Sequence, residues 1–363
     1  LLLMTGLLLL PLGLKSQGPT YQCQEDQNTL IRDEFSSFTQ RRSGHLWLGA
    51  SEEIWAFDGA KLHPRIGSED SLLRACSALF TDHDDQIWAG FANGAIAQTN
   101  KAGLLVAWMP EEGWPQARIT AFAEDKDGRI WIGTYGEGVY CYTQNRLYQF
   151  GREDGMQSSD IYALVSDATG NVWAGTDAGV HQLSWTGSTK NITVFDSDNG
   201  LPDNIVTSIL PRQNGELWLG TYEGGVIRAI NDGKTLHFTQ VSNWSGGSIS
   251  SISEVDDRKL WVGTKNKGIR IYDISANSWL PAEATRKLPQ RIIKLFCDQE
   301  GLLWILSRDH GLCRVQTRLA IWDHMPISPQ ALTIDRHDEL WIGSTDGLSK
   351  ISTKNPQLEK IQL

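Results

Sequence analysis

Short runs of alternating apolar and polar residues recur along almost the whole chain, each closed by Gly, Asp or Asn. Ile161-Tyr162-Ala163-Leu164-Val165 is one such run. Gly179-Val180-His181-Gln182-Leu183 and Ile192-Thr193-Val194-Phe195 are two more. Alternation over this length, bounded by turn residues, is the signature of a strand with one buried face. Between the first run and the other two stand a polar turn, Asp167-Ala168-Thr169-Gly170, and a strand built on Trp173-Ala174-Gly175. Four strands make a unit, and the unit repeats.

The tryptophans set its period. Trp47, Trp88, Trp131, Trp173, Trp218, Trp261, Trp304 and Trp341 are spaced by 41, 43, 42, 45, 43, 43 and 37 residues. Seven of these eight stand in W-x-G, Trp304-Ile305-Leu306 being the exception, and Thr134, Thr176, Thr221 and Thr264 follow the glycine. Four strands in about 40–45 residues is the size of one propeller blade. A lone four-stranded sheet cannot bury both faces, whereas radial stacking covers each blade with two neighbours. The tryptophan is then a wedge between blades, and the glycine two residues on lets the neighbouring sheet approach. The predicted fold is an all-β propeller of four-stranded blades. Eight motifs favour eight blades; a seven-bladed ring followed by the start of a second propeller is the alternative. Thr20-Tyr21-Gln22-Cys23 is expected as an outer strand that could complete the last blade and lock the ring, a position for which Leu358-Glu359-Lys360-Ile361 also qualifies.

Composition agrees with many short elements: 35 of the 363 residues are Gly and 15 are Trp. The net charge of −10, with no Lys/Arg cluster, argues against a nucleic-acid partner, which needs a basic face for phosphates. Residues 1–14 are almost wholly apolar, too short to span a bilayer but of the length of a signal-peptide core, with Ser16-Gln17-Gly18 as a small-x-small cleavage site. A buried first strand is the other reading. The expected organisation is therefore a signal peptide over 1–18 and a single propeller domain over 19–363, exported to the periplasm or the exterior, with no membrane span in the mature chain. Cys23, Cys76, Cys141, Cys297 and Cys313 are scattered and odd in number, which predicts neither a disulfide framework nor a zinc site. A Cys141–Cys313 bridge is not expected, because their blades would lie far apart.

In a propeller the turns between second and third strands share one face with the linkers between blades, and this mouth is the expected binding face. Its turns offer Phe91, Tyr135, Glu137, Asp177, Tyr222, Glu223, Lys265, Arg308 and His310; its linkers offer Trp114, Arg118, Asp160, Asn204, Trp244 and Arg291. From these, Tyr135, Tyr222, Asp177, Arg118, Trp114, Trp244, Lys265, Arg308 and His310 are the candidate ligand-binding residues. Aromatic faces beside cations and carboxylates suit a polar, ring-shaped ligand such as an oligosaccharide. Metal, cofactor and catalytic motifs are not found. Asp125-Lys126-Asp127-Gly128 begins like a calcium loop but lacks the later acidic ligands, so a hairpin turn is expected there. The eight His show no H-E-x-x-H pairing, and there is no phosphate-cradling Gly loop.

The repeats resemble the regulator-propeller repeats found in the extracytoplasmic halves of bacterial hybrid two-component histidine kinases. Asn199-Gly200-Leu201-Pro202-Asp203-Asn204-Ile205-Val206-Thr207-Ser208-Ile209 matches the linker of that family, and Asp154-Gly155-Met156-Gln157-Ser158-Ser159-Asp160-Ile161 is a looser copy. Glu124 to Thr134 match its turn and W-I-G-T strand. The resemblance covers roughly residues 36–355 and implies a sensor that binds a small polar ligand without catalysis, with a histidine kinase module in the same or a partner chain. Two alternatives remain: an exported lyase or glycosidase using His310 and Asp309 beside Asp177 and Glu223, or a protein-interaction scaffold.

Overall fold

The computed structural model describes residues 20–23, 35–59, 61–65, 73–108, 115–231, 235–256, 258–315, 329–335, 339–345, 347–352 and 358–361. Residues 1–18, over which the export leader is expected, lie outside them. Eight antiparallel sheets form, one for each tryptophan motif, spanning 37–64, 76–107, 119–150, 161–195, 206–240, 249–279, 292–315 and 329–361. Each is a simple meander of four strands, except the seventh, which has three among the described residues. We call them blades one to eight. Blades one to seven belong to a compact unit, Gln22–Thr317, and blade eight to a second, smaller unit.

Within the larger unit the first strands of successive blades lie side by side. Trp47, Trp88, Trp131, Trp173, Trp218, Trp261 and Trp304 are all buried. Trp131 shares one apolar cluster with residues of its own and the following blade, among them Ile161, Leu164 and Leu183. In blades two, three, four and seven the turn aspartate fixes the ring. It accepts a hydrogen bond from the indole six residues on: Asp82 from Trp88 at 2.8 Å, Asp125 from Trp131 at 2.7 Å, Asp167 from Trp173 at 2.8 Å and Asp298 from Trp304 at 2.7 Å. The other carboxylate oxygen caps the hairpin; Asp125 Oδ1, for example, accepts the backbone N–H groups of Asp127 and Arg129. The calcium-like segment is therefore a hairpin turn, as its sequence predicts.

The W-x-G glycine is the point of closest approach. A β-carbon on Gly90 would stand 2.3 Å from Ile119 of the next blade, and one on Gly220 would stand 2.5 Å from Ile249. Hydroxyls stitch the same joints. Ser77 Oγ donates to the carbonyls of Gly90 (3.2 Å) and of Ile119 in the next blade (2.6 Å), and Thr207 Oγ1 to those of Gly220 (3.0 Å) and Ile249 (2.8 Å).

Blade seven packs on blade one. Phe38 meets Phe296 edge-on at 5.5 Å, Phe57 meets Trp304 at 6.2 Å, and the Gln299 N–H donates to Gln40 Oε1 at 3.1 Å. Here Leu306 replaces the glycine and is wholly buried among Phe38, Leu48 and Phe57. Ile293-Lys294 replaces the stitching hydroxyls, and Lys294 Nζ donates to the Phe38 carbonyl at 3.1 Å. Burial pushes that ammonium down to about 8.

Two expectations need correction. Cys23 and Cys313 form a disulfide, so the odd cysteine count does hide a structural bridge. The Gln22-Cys23 segment lies against blade seven and the linker entering it, where Gln22 pairs in parallel with Lys287 and Cys23 is bonded to Cys313, because the larger unit closes between its first and seventh blades. Leu358–Ile361 is the outer strand of blade eight, as expected. In that blade Trp341 is half-buried, and Leu332 and Ile334 are 61% and 64% exposed.

One core histidine makes the fold acid-sensitive. His181, on the third strand of blade four, is 0% exposed, and its Nε2 accepts the Gln157 N–H at 3.2 Å. Burial lowers it to about 4, against the opposing pull of Asp196 and Asp177. The unfolded chain therefore binds the proton first: this contribution is complete above about pH 6.5 and is lost as pH falls toward 4, amounting to about 3 kcal/mol. Urea melts at pH 7.0 and 4.5 should show that loss in the native protein and a shallower slope in His181→Gln; equal slopes would remove the assignment.

Candidate functional site

The mouth is assembled by backbone hydrogen bonds that tie the turn after each W-x-G strand to the linker entering the same blade. Ala92 N–H donates to Ala75 O (3.0 Å), Tyr135 to Arg118 (2.9 Å), Tyr222 to Ile205 (3.0 Å), Lys265 to Ser248 (3.0 Å) and Arg308 to Arg291 (2.9 Å). Turns and linkers thus share one face, as the sequence predicts. Several acidic residues of this face are locks. Asp203 Oδ2 accepts the N–H groups of Glu223 and Gly224 at 2.7 and 2.8 Å. Asp309 accepts those of Gln290 and Arg291 at 2.8 and 3.3 Å, and Glu137 that of Gln116 at 3.1 Å. Burial raises the Asp203 and Asp309 carboxyls, but these backbone donors outweigh it and hold both below the ordinary carboxylate range.

Two groups emerge from the predicted site residues. On blades three and four, Tyr135 is 52% exposed and its ring centroid lies 6.3 Å from that of Tyr162. Asp160 bridges Tyr135 through the backbone, and burial followed by Asp177, Tyr135 and Asp160 raises the Tyr162 phenol. Arg118 joins this group through its carbonyl. On blades five to seven, Tyr222 is 42% exposed and carries Lys265 Nζ 5.2 Å over its ring. Lys265 in turn lines a cavity of about 380 Å³ between blades six and seven, with Ser250, Asn266, Arg291, Arg308 and the apolar Ile292 and Ile293. His310 is exposed in the adjoining turn, its Nδ1 3.4 Å from Asp309 Oδ2. The mouth therefore has an aromatic and acidic sector and a basic one.

Three predicted contributors take other places. Phe91 is fully buried in the cluster joining blades one and two. Trp244 packs against Trp279, the outer strand of blade six, at 5.1 Å, with its Nε1 donating to the Gly247 carbonyl. Gly225 and Gly246 make room for that ring, which joins the blade-six core rather than the Tyr222 group. Trp114 lies outside the described residues. Tyr162 and Ser250, by contrast, are additions from the structure. Ser250 occupies the repeat position of Ser77 and Thr207, a signal present in the alignment of the blades.

The same architecture recurs in known proteins. The model of the two component regulator propeller matches residues 113–136 and 200–223. A histidine kinase P4 of Formosa agariphila is 25% identical over 205 residues, spanning 49% of this chain and 15% of that protein. The extracellular domain of a hybrid two component system of B. thetaiotaomicron superposes with a TM-score of 0.66 at 19% identity, covering 95% of this chain and 49% of its own. Virginiamycin B lyase of Staphylococcus aureus superposes with a TM-score of 0.65 at 15% identity, covering 82% and 99%. At such identities the solved structures share the fold alone, and this chain spans about half of the hybrid-system domain and a smaller part of the kinase.

Proposed function

We propose, from the premise that this chain carries two-component regulator propeller repeats, that it is the extracytoplasmic sensing part of such a regulator. It takes a small polar ligand, a carbohydrate, at the mouth, and passes its occupancy to a histidine kinase module in the same or a partner chain. The observation that carries this reading is the cavity between blades six and seven, where Lys265, Arg291 and Arg308 converge beside the exposed Tyr222 ring. Such a combination offers a stacking face and directional donors to a ring of hydroxyls. Export is supported by the Cys23–Cys313 bridge, since disulfides persist in oxidising compartments.

The reading includes no catalytic step. The acid–base pair that a lyase or glycosidase would draw from this face is committed elsewhere: Asp309 holds two backbone N–H groups, Asp203 does the same, and Glu137 holds one. Asp177 belongs with Tyr162, not with His310.

Thermal shift against an oligosaccharide panel tests the proposal. A ligand at 100 times its Kd adds about 2.7 kcal/mol of stability. The shift should shrink in Tyr222→Ala and persist in Trp244→Phe. No shift with any member of the panel would end the carbohydrate reading.

A further inference from the structure

We propose that the joint between blades six and seven is an anion-binding groove, which reads carboxylate or sulfate groups carried by an oligosaccharide. This deepens the sensing reading above and rests on it. The chain carries 43 acidic and 33 basic side chains, so unpaired cations at one place are unexpected. Elsewhere several arginines are paired: Arg41 with Asp85 at 2.8 Å, Arg129 with Asp125 at 2.6 Å and Arg212 with Glu254 at 2.7 Å. Lys265, Arg291 and Arg308 have no such partner among the described residues, and no carboxylate lines their cavity. The nearest acid in sequence, Asp309, accepts from the backbone of Gln290 and Arg291, which fixes the linker that presents Arg291.

Ser250 provides an independent observation. At its repeat position Ser77 and Thr207 each donate to two carbonyls across the blade joint. Ser250 lines this cavity, and its Oγ is buried without a hydrogen-bond partner. (Thr120 is likewise unpartnered in blade three, away from this cavity.) A sheltered hydroxyl without a partner costs stability unless something fills the site. Here it would donate to the anion that the three cations hold.

A second hollow flanks the first. On the far side of the 265–267 turn a second cavity of about 220 Å³ is lined by Lys267, Arg270, Arg286 and Gln290, again with no carboxylate among the described residues. Arg270 Nη1 donates to Ser245 Oγ at 3.2 Å, while its Nε is buried without a partner. Two cationic hollows flanking one turn suit a ligand with repeated anionic groups rather than a single ion.

The test is isothermal titration of the protein with a galacturonate hexamer, a dextran sulfate oligomer of equal length and neutral maltohexaose. The expected result is that a charged oligomer binds, that its Kd rises at least tenfold between 50 and 500 mM NaCl, and that maltohexaose binds at least tenfold more weakly. The double variant Arg291→Gln/Arg308→Gln should weaken the charged oligomer tenfold or more, while Lys101→Gln, in an exposed turn of blade two, leaves it unchanged. Ser250→Ala, a small change, should weaken it without altering the fold and so reports on the site if the double variant is misfolded by circular dichroism. Binding of the galacturonate alone assigns a carboxylate, of the sulfated oligomer alone a sulfate, of both a site for charge. If maltohexaose binds as well as the charged probes and the arginine variant is indifferent, the groove is refuted while the sensing mouth stands. Equal weakening by Lys101→Gln would reduce the effect to nonspecific attraction. If none of the three binds, both readings fall.

Discussion

Trp131→Ala is expected to lower the stability of the larger unit by about 3–5 kcal/mol, the range for truncating a fully buried tryptophan. Trp131 is 0% exposed and lies 4.9 Å from the Phe150 ring, in a cluster shared by blades three and four. Burying 150–250 Å² at about 25 cal/mol/Å² sets an upper bound of roughly 4–6 kcal/mol for the side chain. Truncation also strips the indole donor from Asp125, whose side chain is left with Arg129 and the turn backbone. Trp131→Phe separates the two terms: it keeps most of the apolar volume and loses the donor, so it should cost distinctly less than alanine. Trp341→Ala gives the contrasting case, since Trp341 is only half-buried in blade eight. Guanidinium melts followed by circular dichroism read all three. A loss below about 1 kcal/mol for Trp131→Ala would contradict the wedge, given what such truncations ordinarily cost.

The repeat unit is legible because one physical need recurs at one spacing. Each blade must insert a large ring into its neighbour, so a Trp returns every 41 to 45 residues over the first seven motifs, with the Gly in six of them and the turn Asp six residues before it in four. The place of closure is also written in the sequence, in the motif that breaks the rule. At Trp304-Ile305-Leu306 the glycine is replaced, and the joint with blade one is filled by Leu306 and spanned by Lys294 instead of being stitched by hydroxyls. A glycine is needed where the next sheet comes within a β-carbon's reach; a leucine marks a joint wide enough to hold it. The mouth was legible as a face but not as a site. Which residues share that face follows from the strand order. Whether a side chain turns outward follows from local packing, which sends Phe91 into the core and Trp244 onto Trp279. The charge of the site was hidden for a similar reason: Lys265, Arg291 and Arg308 are isolated in sequence and meet only because blades six and seven are adjacent.

The disulfide was missed because counting cysteines says nothing about which pair can meet. Cys23 and Cys313 are 290 residues apart, and only the return of the chain to its start brings them together, at the third strand of blade seven. A cross-link over so long a loop removes much of the freedom of the unfolded chain, and losing a native bridge typically costs about 2–5 kcal/mol. Cys23→Ser/Cys313→Ser, or reduction of the native protein, is therefore expected to lower the denaturation midpoint by that amount. The loosening should be concentrated at the closing joint, where hydrogen exchange over 311–315 would rise more than over 172–176 in blade four. The other thiols do not confuse the experiment. Cys76 and Cys141 are buried, and burial pushes both thiols up to about 12, which leaves almost no thiolate to exchange. In the folded, oxidised protein iodoacetamide should therefore reach Cys297 at most, and two further sites only after reduction. An unchanged midpoint on reduction, with exchange uniform across the blades, would mean that blades one and seven hold the ring closed through Phe38, Phe296, Leu306 and Lys294 without help from the bridge.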